Sequence, residues 1–70
     1  MKVWIEPLAI GSAGGPRVYI LVRQVGRHKD VEEIPEGAND FAAVSYAARR
    51  WRVDRAKVEV KPVQVIPLED

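Results

Sequence analysis

The chain has 70 residues, of which 11 are basic and 10 acidic, with no cysteine and a single histidine. This length predicts one compact domain over residues 1–70, with a small core that supplies no more than ~3–5 kcal/mol on its own. The composition excludes a disulfide framework, a thiolate metal site and a histidine-rich metal site, and a net charge of +1 does not by itself predict nucleic-acid binding.

No stretch of the sequence resembles a membrane span or a signal peptide. The longest apolar run, Val18 to Val22, is far too short to cross a bilayer. We therefore expect a soluble, cytoplasmic protein with no membrane partner. Seven arginines and 11 valines beside a single asparagine suit a heat-stable protein, and equally a GC-rich genome.

The first predicted strand spans residues 3–10. Its alternating sets are Val3, Ile5, Pro7 and Ala9 on one side and Trp4, Glu6, Leu8 and Ile10 on the other. Because proline cannot donate to a strand ladder, Pro7 predicts that the strand lies at a sheet edge or bends there. The stretch GSAGGPR, residues 11–17, then predicts a flexible connection.

The second predicted strand, residues 18–25, is apolar on both sides. One face carries Val18, Ile20 and Val22, and the other carries Tyr19, Leu21, Arg23 and Val25. Both faces of the first two strands therefore require cover, from another part of the chain or from a partner.

A hairpin and a helix follow. Residues 26–29 predict a hairpin tip, residues 30–34 a short third strand, and residues 34–37 a type I turn. The helical period from Phe41 to about Arg52 predicts a helix, with Asn39 or Asp40 as its N-cap. We expect a core-facing stripe that consists of Phe41, Val44, Ala47, Ala48 and Trp51.

The last predicted strand, residues 57–67, changes its pattern halfway. Its apolar positions are Val58 and Val60 before Pro62, and Val63 and Val65 after it. A regular strand cannot place both pairs on one face. The chain must therefore bulge near Pro62, cross to another layer or expose one pair.

Together these elements predict an α+β domain, β-β-β-α-β, with a small antiparallel sheet of unresolved strand order and the helix on one face. One helix of this length covers only one face of such a sheet. The candidates for the second, uncovered face are Trp4, Leu8, Tyr19, Leu21, Val63 and Val65. A homodimer would cover this face, and so would an apolar tail that folds back over the same chain.

The stretch AARRWRVDR, residues 47–55, is the most distinctive one, with four arginines around one tryptophan. Cations in the last turn of a helix interact favourably with its dipole, which predicts a structural role, with the Trp51 indole packed inward. The alternative is a nucleic-acid site. Its candidate residues are Arg27, Lys29, Arg49, Arg50, Arg52 and Arg55. Five acidic and no basic residues between positions 30 and 40 argue against that alternative, because they repel a phosphate backbone.

Catalytic and cofactor motifs are weak. GSAGGPR lacks the lysine and the following helix of a phosphate-binding loop, and His28 has no nucleophile near it in the sequence. We therefore expect no enzymatic activity, no cofactor, no metal and no small-molecule substrate. The leading hypothesis is a self-associating protein-interaction module, an adaptor or inhibitor of a larger assembly. Nucleic-acid binding is its alternative.

Overall fold

The structure, a computed structural model, describes residues 1–35 and 39–68. Its elements are β1 (Lys2–Ile10), β2 (Arg17–Val25), β3 (His28–Glu33), α1 (Asp40–Trp51), a short 3-10 helix (Arg55–Lys57), β4 (Val58–Val60) and β5 (Gln64–Ile66). The predicted α+β class, with the helix on one face of a sheet, is confirmed. The turn predicted over residues 34–37 lies partly outside the described residues, and the acidic residues at 36, 69 and 70 lie entirely outside them.

The strand order is β3-β2-β1-β4, and β5 also pairs with β1. β1 with β2 and β2 with β3 are antiparallel, whereas β4 and β5 run parallel to β1. The sheet is therefore mixed, where an antiparallel one was expected. The reason is the position of α1, which carries the chain from β3 at one edge across to the far side of β1, so that the returning strand runs in the same direction as β1.

Pro7 lies in the central strand and not at an edge, contrary to one of the two expectations for it. The backbone of Ile5 accepts from Lys61 N at 2.8 Å, and Gly11 N donates to Ile66 O at 2.7 Å. Odd-numbered residues of β1 therefore direct their backbone polar groups toward β4 and β5. Pro7 falls opposite the gap between those two strands, so its missing N–H removes no ladder hydrogen bond.

The same gap accounts for the change of pattern after Pro62. Val58 and Val60 pair with Val3 and Ile5, and β5 resumes the sheet with Val65 beside Ala9. Residues 61–63 leave the ladder and shift the alternation by one position. The expected irregularity is confirmed, and Pro62 lies within it.

Helix α1 begins and ends with identifiable caps. The side chain of Asn39 accepts from Ala42 N at 2.8 Å, which confirms Asn39 as the N-cap. At the other end Arg52 adopts a left-handed conformation with φ 53°, a role more often taken by glycine, and its N–H donates to Ala48 O. The chain can then turn back along the helix toward β4.

The core lies between α1 and one face of the sheet. Ile5, Leu21, Ala43 and Ala47 are completely buried there, and Tyr19 is 2% exposed. The Tyr19 hydroxyl donates to Asp40 Oδ1 at 3.0 Å and ties β2 to the start of the helix. We call this surface the helix-covered face; small alanine side chains allow the helix to approach it closely.

The predicted helical stripe is partly wrong. Phe41 is 70% exposed, and the buried positions are Ala43 and Ala47, with Val44 and Trp51 packed beside them. The observed stripe is rotated about the helix axis relative to the predicted one. The difference arises because the predicted stripe included Phe41 and Ala48, which lie on a neighbouring side of the helix.

The glycine-rich loop between β1 and β2 forms a defined turn. Gly15 N donates to Ser12 O at 2.9 Å, and Ile10 N donates to Pro16 O at 2.8 Å. A Cβ added at Gly15 would lie 2.0 Å from Ile10 O, so this position requires glycine. GSAGGPR therefore forms a tight hairpin connection, and the geometry of its backbone explains why glycine is required there.

Candidate functional site

One face of the sheet carries no covering element among residues 1–35 and 39–68, and we call it the open face. Strand register determines its members, because paired residues share a face. They are Trp4, Glu6, Leu8 and Ile10 of β1, Val18, Ile20, Val22 and Gln24 of β2, Lys29, Val31 and Glu33 of β3, with Lys2, Glu59, Gln64 and Ile66 at the margins.

An apolar row crosses the open face at right angles to the strands. It consists of Val31, Val22 and Trp4, which are paired in register across β3, β2 and β1. Val31 is 64% exposed, whereas Val22 lies between its neighbours and is nearly buried. Ile20, Leu8 and further half-buried aliphatic residues continue the surface beyond this row. As far as Ile66, the tail extends the sheet as β5 and does not fold over this face.

Trp4 is the largest side chain of the open face. Its Nε1 donates to Glu6 Oε2 at 2.9 Å, which fixes the ring orientation. The ammonium groups of Lys29 and Lys61 lie 5.7 and 5.6 Å from the ring centroid, a cation–π arrangement, and Lys61 also pairs with Glu59. The indole is thus held on the surface by polar groups and is only half-buried.

A depression of about 370 Å³ lies beside Trp4, where β4 ends and β5 begins. Its lining residues are Trp4, Glu6, Lys61, Pro62, Val63 and Gln64. Val63 is 39% exposed. The irregular segment that accommodates Pro7 therefore also creates a concave margin for the open face.

The six candidates for an uncovered face do not form one surface. Trp4 and Leu8 lie on the open face, and Val63 borders it. The assignment of Tyr19 and Leu21 is wrong, because they pair with Pro7 and Ile5 and are buried beneath α1. Val65 is 45% exposed, but it pairs with Ala9 and so belongs to the opposite side.

The residues that sequence reasoning missed are Ile20, Val22 and Val31. Both sides of strand β2 are apolar, so its pattern alone does not say which side meets the helix. Each side also carries one polar residue near the end of the strand, Arg23 on the side of Leu21 and Gln24 on the other, so polarity does not distinguish the two sides. In the structure Arg23 lies on the helix-covered face as part of a packed cluster.

That cluster surrounds Trp51 at the end of the helix. The guanidinium groups of Arg23 and Arg50 lie 3.9 and 4.1 Å from the centroid of the Trp51 ring. Arg23 donates from Nε to Asp30 Oδ2 at 2.9 Å, and Arg50 Nε lies 3.3 Å from Glu32 Oε1. The indole Nε1 is buried as well. Trp51 is therefore closed to base stacking, as its predicted inward packing implies.

Positive and negative side chains are paired with one another in the cluster around Trp51. Asp30 accepts from Arg23 and also lies 3.0 Å from His28 Nε2. Hydrogen bonds from Arg23 and then from His28 hold the pKa of the Asp30 carboxyl below its ordinary value. Asp30 and Glu32, two of the acidic residues between positions 30 and 40, are thus each paired with an arginine.

The nucleic-acid candidates are dispersed. Lys29 lies on the open face beside Trp4, Arg27 is exposed at the hairpin tip, and Arg50 belongs to the Trp51 cluster. Arg52 caps the helix. Arg49 and Arg55 line a separate depression on the outer side of the helix. These six residues supply no single basic track of the kind that follows a phosphate backbone.

Within the part of the chain that the structure describes, no group of three or more histidine, cysteine or carboxylate side chains is arranged to hold a metal ion. In the same residues, no helix is both long and apolar enough to span a bilayer. No family model, no curated protein and no solved structure matches this chain.

Proposed function

We propose that this chain is a small, non-enzymatic cytoplasmic interaction module that self-associates through its open face and acts as an adaptor or inhibitor within a larger assembly. The observation that carries the proposal is the apolar row of Val31, Val22 and Trp4, continued by Ile20 and Leu8, with no described element over it. Contiguous apolar surface usually marks an interface, and small domains commonly gain stability by dimerising.

The charges on the open face favour a second copy as the occupant. Lys2 and Lys29 lie on one side of the apolar row, and Glu6 and Glu33 lie on the other. A two-fold axis along the row would place each lysine opposite the glutamate of the same strand in the partner: Lys2 opposite Glu6, and Lys29 opposite Glu33. Such an isologous interface is self-complementary in both its apolar and its charged parts.

Nucleic acid is a less suitable occupant of the same surface. Binding platforms for single strands present several aromatic rings on which bases stack. Among the described residues of the open face Trp4 is the only aromatic one, and lysines lie near its ring. Glu6, Glu33 and Glu59 would also repel a phosphate backbone.

Sedimentation equilibrium over a wide concentration range tests the proposal, with Val31→Glu as the variant and Val25→Glu as its matched control. Both valines are exposed, by 64% and 48%, so neither substitution removes a core contact, but Val25 lies at the end of β2 outside the open face. We expect the wild type and Val25→Glu to approach twice the chain mass of 7.9 kDa as concentration rises. Val31→Glu should remain a monomer, because association would bury its carboxylate.

A wild type that stays monomeric at the highest concentration would contradict the proposal. So would a Val31→Glu variant that dimerises as the wild type does. Circular dichroism of each variant is the control for folding.

A further inference from the structure

The outer side of the helix carries a depression that self-association through the open face leaves free. Its volume is about 550 Å³, and it lies between α1 and the segment that follows it. The lining residues are Ser45, Ala48, Arg49, Val53, Asp54 and Arg55. Ala48 and Val53 are half-buried and supply its apolar part, and the two arginines are exposed.

The arginines of this depression differ from those of the Trp51 cluster. Arg23 and Arg50 are each paired with a carboxylate, whereas Arg49 and Arg55 form no ion pair with any described residue. Asp54 is the only acidic residue in the described lining. The depression therefore presents two guanidinium groups that no described carboxylate pairs, and their planar geometry suits carboxylate oxygens.

An exposed aromatic ring adjoins the same site. Phe41 is 70% exposed, and the guanidinium of Arg55 lies 5.4 Å from the centroid of its ring. The ring gives a ligand an apolar contact next to a cation. Apolar surface and exposed positive charge thus occur together on this side of the helix.

We infer that the depression binds a short acidic segment of a partner protein, one that combines carboxylates with an aliphatic side chain. The carboxylates accept hydrogen bonds from Arg49 and Arg55, and the aliphatic side chain packs against Val53 and Phe41. This inference goes beyond self-association, because the site lies on the opposite side of the molecule from the open face. It gives the proposed adaptor a second, independent surface.

A peptide fits this site better than a nucleic acid does. A phosphate backbone needs successive cations along a track, but Asp54 lies within the lining and Arg50 is directed toward Glu32. Two arginines around an apolar floor instead match a ligand with one or two negative charges and an apolar group between them.

Fluorescence anisotropy tests the inference with three rhodamine-labelled probes: a hexapeptide of alternating leucine and glutamate, the same peptide with glutamine for glutamate, and hexathymidylate. The protein variants are the double variant Arg49→Gln with Arg55→Gln, and Arg27→Gln as a matched control at the exposed hairpin tip. We expect the acidic peptide to bind the wild type and Arg27→Gln within about twofold of each other, and the double variant at least about tenfold more weakly. The glutamine peptide should not bind measurably to the wild type or to either variant.

Equal binding of the two peptides, equal weakening by Arg27→Gln, or no binding of the acidic peptide at millimolar protein would overturn the inference. Tighter binding of hexathymidylate, lost in the double variant, would assign the site to nucleic acid instead. Val31→Glu separates the two proposals, because it should leave peptide binding unchanged whatever it does to self-association.

Discussion

The two faces of the sheet carry similar aliphatic residues but differ in what lies against them. Leu21 on the helix-covered face is completely buried beneath Ala43 and Ala47. Leu8 on the open face is only half-buried, with no described element above it. The residue types alone therefore do not distinguish the core of the monomer from a surface suited to a partner; the position of the helix does.

The two tryptophans show the same difference in another form, since each lies near two cations. The arginines around Trp51 are paired with Asp30 and Glu32, so the charges of that cluster are balanced within one chain. Trp4 is half-buried on an uncovered surface beside two flexible lysines. A second copy can displace these lysines from the Trp4 ring at little cost.

The largest difference in stability is expected when one leucine on each face is replaced by alanine. Leu21→Ala should lower the free energy of unfolding by about 2–5 kcal/mol, because it opens a cavity beneath the helix. Leu8→Ala should cost clearly less in dilute protein and act mainly by weakening self-association. Urea unfolding at two protein concentrations measures both effects, and equal losses for the two variants would remove the distinction between the faces.

A substitution at the C-terminal end of α1 should stabilise the folded chain without changing self-association through the open face. Arg52 has φ 53°, which costs a non-glycine residue about 1 kcal/mol, so Arg52→Gly should raise the free energy of unfolding by up to about that amount. The dissociation constant of the dimer should not change. Thermal unfolding with parallel sedimentation checks this prediction, which an unchanged or lower midpoint would refute.

A charge reversal on the open face tests the two-fold arrangement proposed for the dimer. Glu33→Lys should weaken self-association several-fold, because it would place two lysines together on each side of the apolar row at its Val31 end, at ~0.2–1 kcal/mol for each exposed pair. The double variant Lys29→Glu with Glu33→Lys restores opposite charges and should recover most of the affinity. Failure of the second change to rescue the first would argue against the two-fold arrangement.

The smallest effect is expected from pH. The pKa of Asp30 is lowered in the folded chain, so its contribution to stability is present above the unfolded pKa of about 3.9 and is lost as pH falls through the folded value. Asp30→Asn should therefore be less stable than the wild type near pH 6, and the difference should narrow as the pH falls below the unfolded pKa. Urea midpoints across this range measure the gap; a constant gap would contradict the proposed ion pairing.

Local features of the fold followed directly from the sequence. The helix and its Asn39 cap, the hairpin at Gly26 and the irregularity at Pro62 each depend on residues close together in the chain. Each is indicated by a residue with a specific effect on the backbone. These are a side chain that accepts a hydrogen bond at the helix start, a glycine that adopts a positive φ in the hairpin, and a proline that cannot donate to a strand ladder.

Features that depend on distant parts of the chain could not be predicted in this way. Strand β2 is apolar on both sides, so only the position of α1 decides that Leu21 is covered while Ile20 is not. The parallel pairing of β4 with β1 is likewise set by the path of the helix. For the candidate site, the sequence indicated Trp4 and Leu8 but mixed them with two core residues for this reason.

The most direct test of the central claim is an isotope-filtered NOE experiment on an equal mixture of labelled and unlabelled protein at high concentration. Burial of the open face against a second copy predicts intermolecular NOEs among Trp4, Val22 and Val31, because the proposed two-fold axis runs along their row. The absence of intermolecular NOEs, or their confinement to the outer side of α1, would contradict the account.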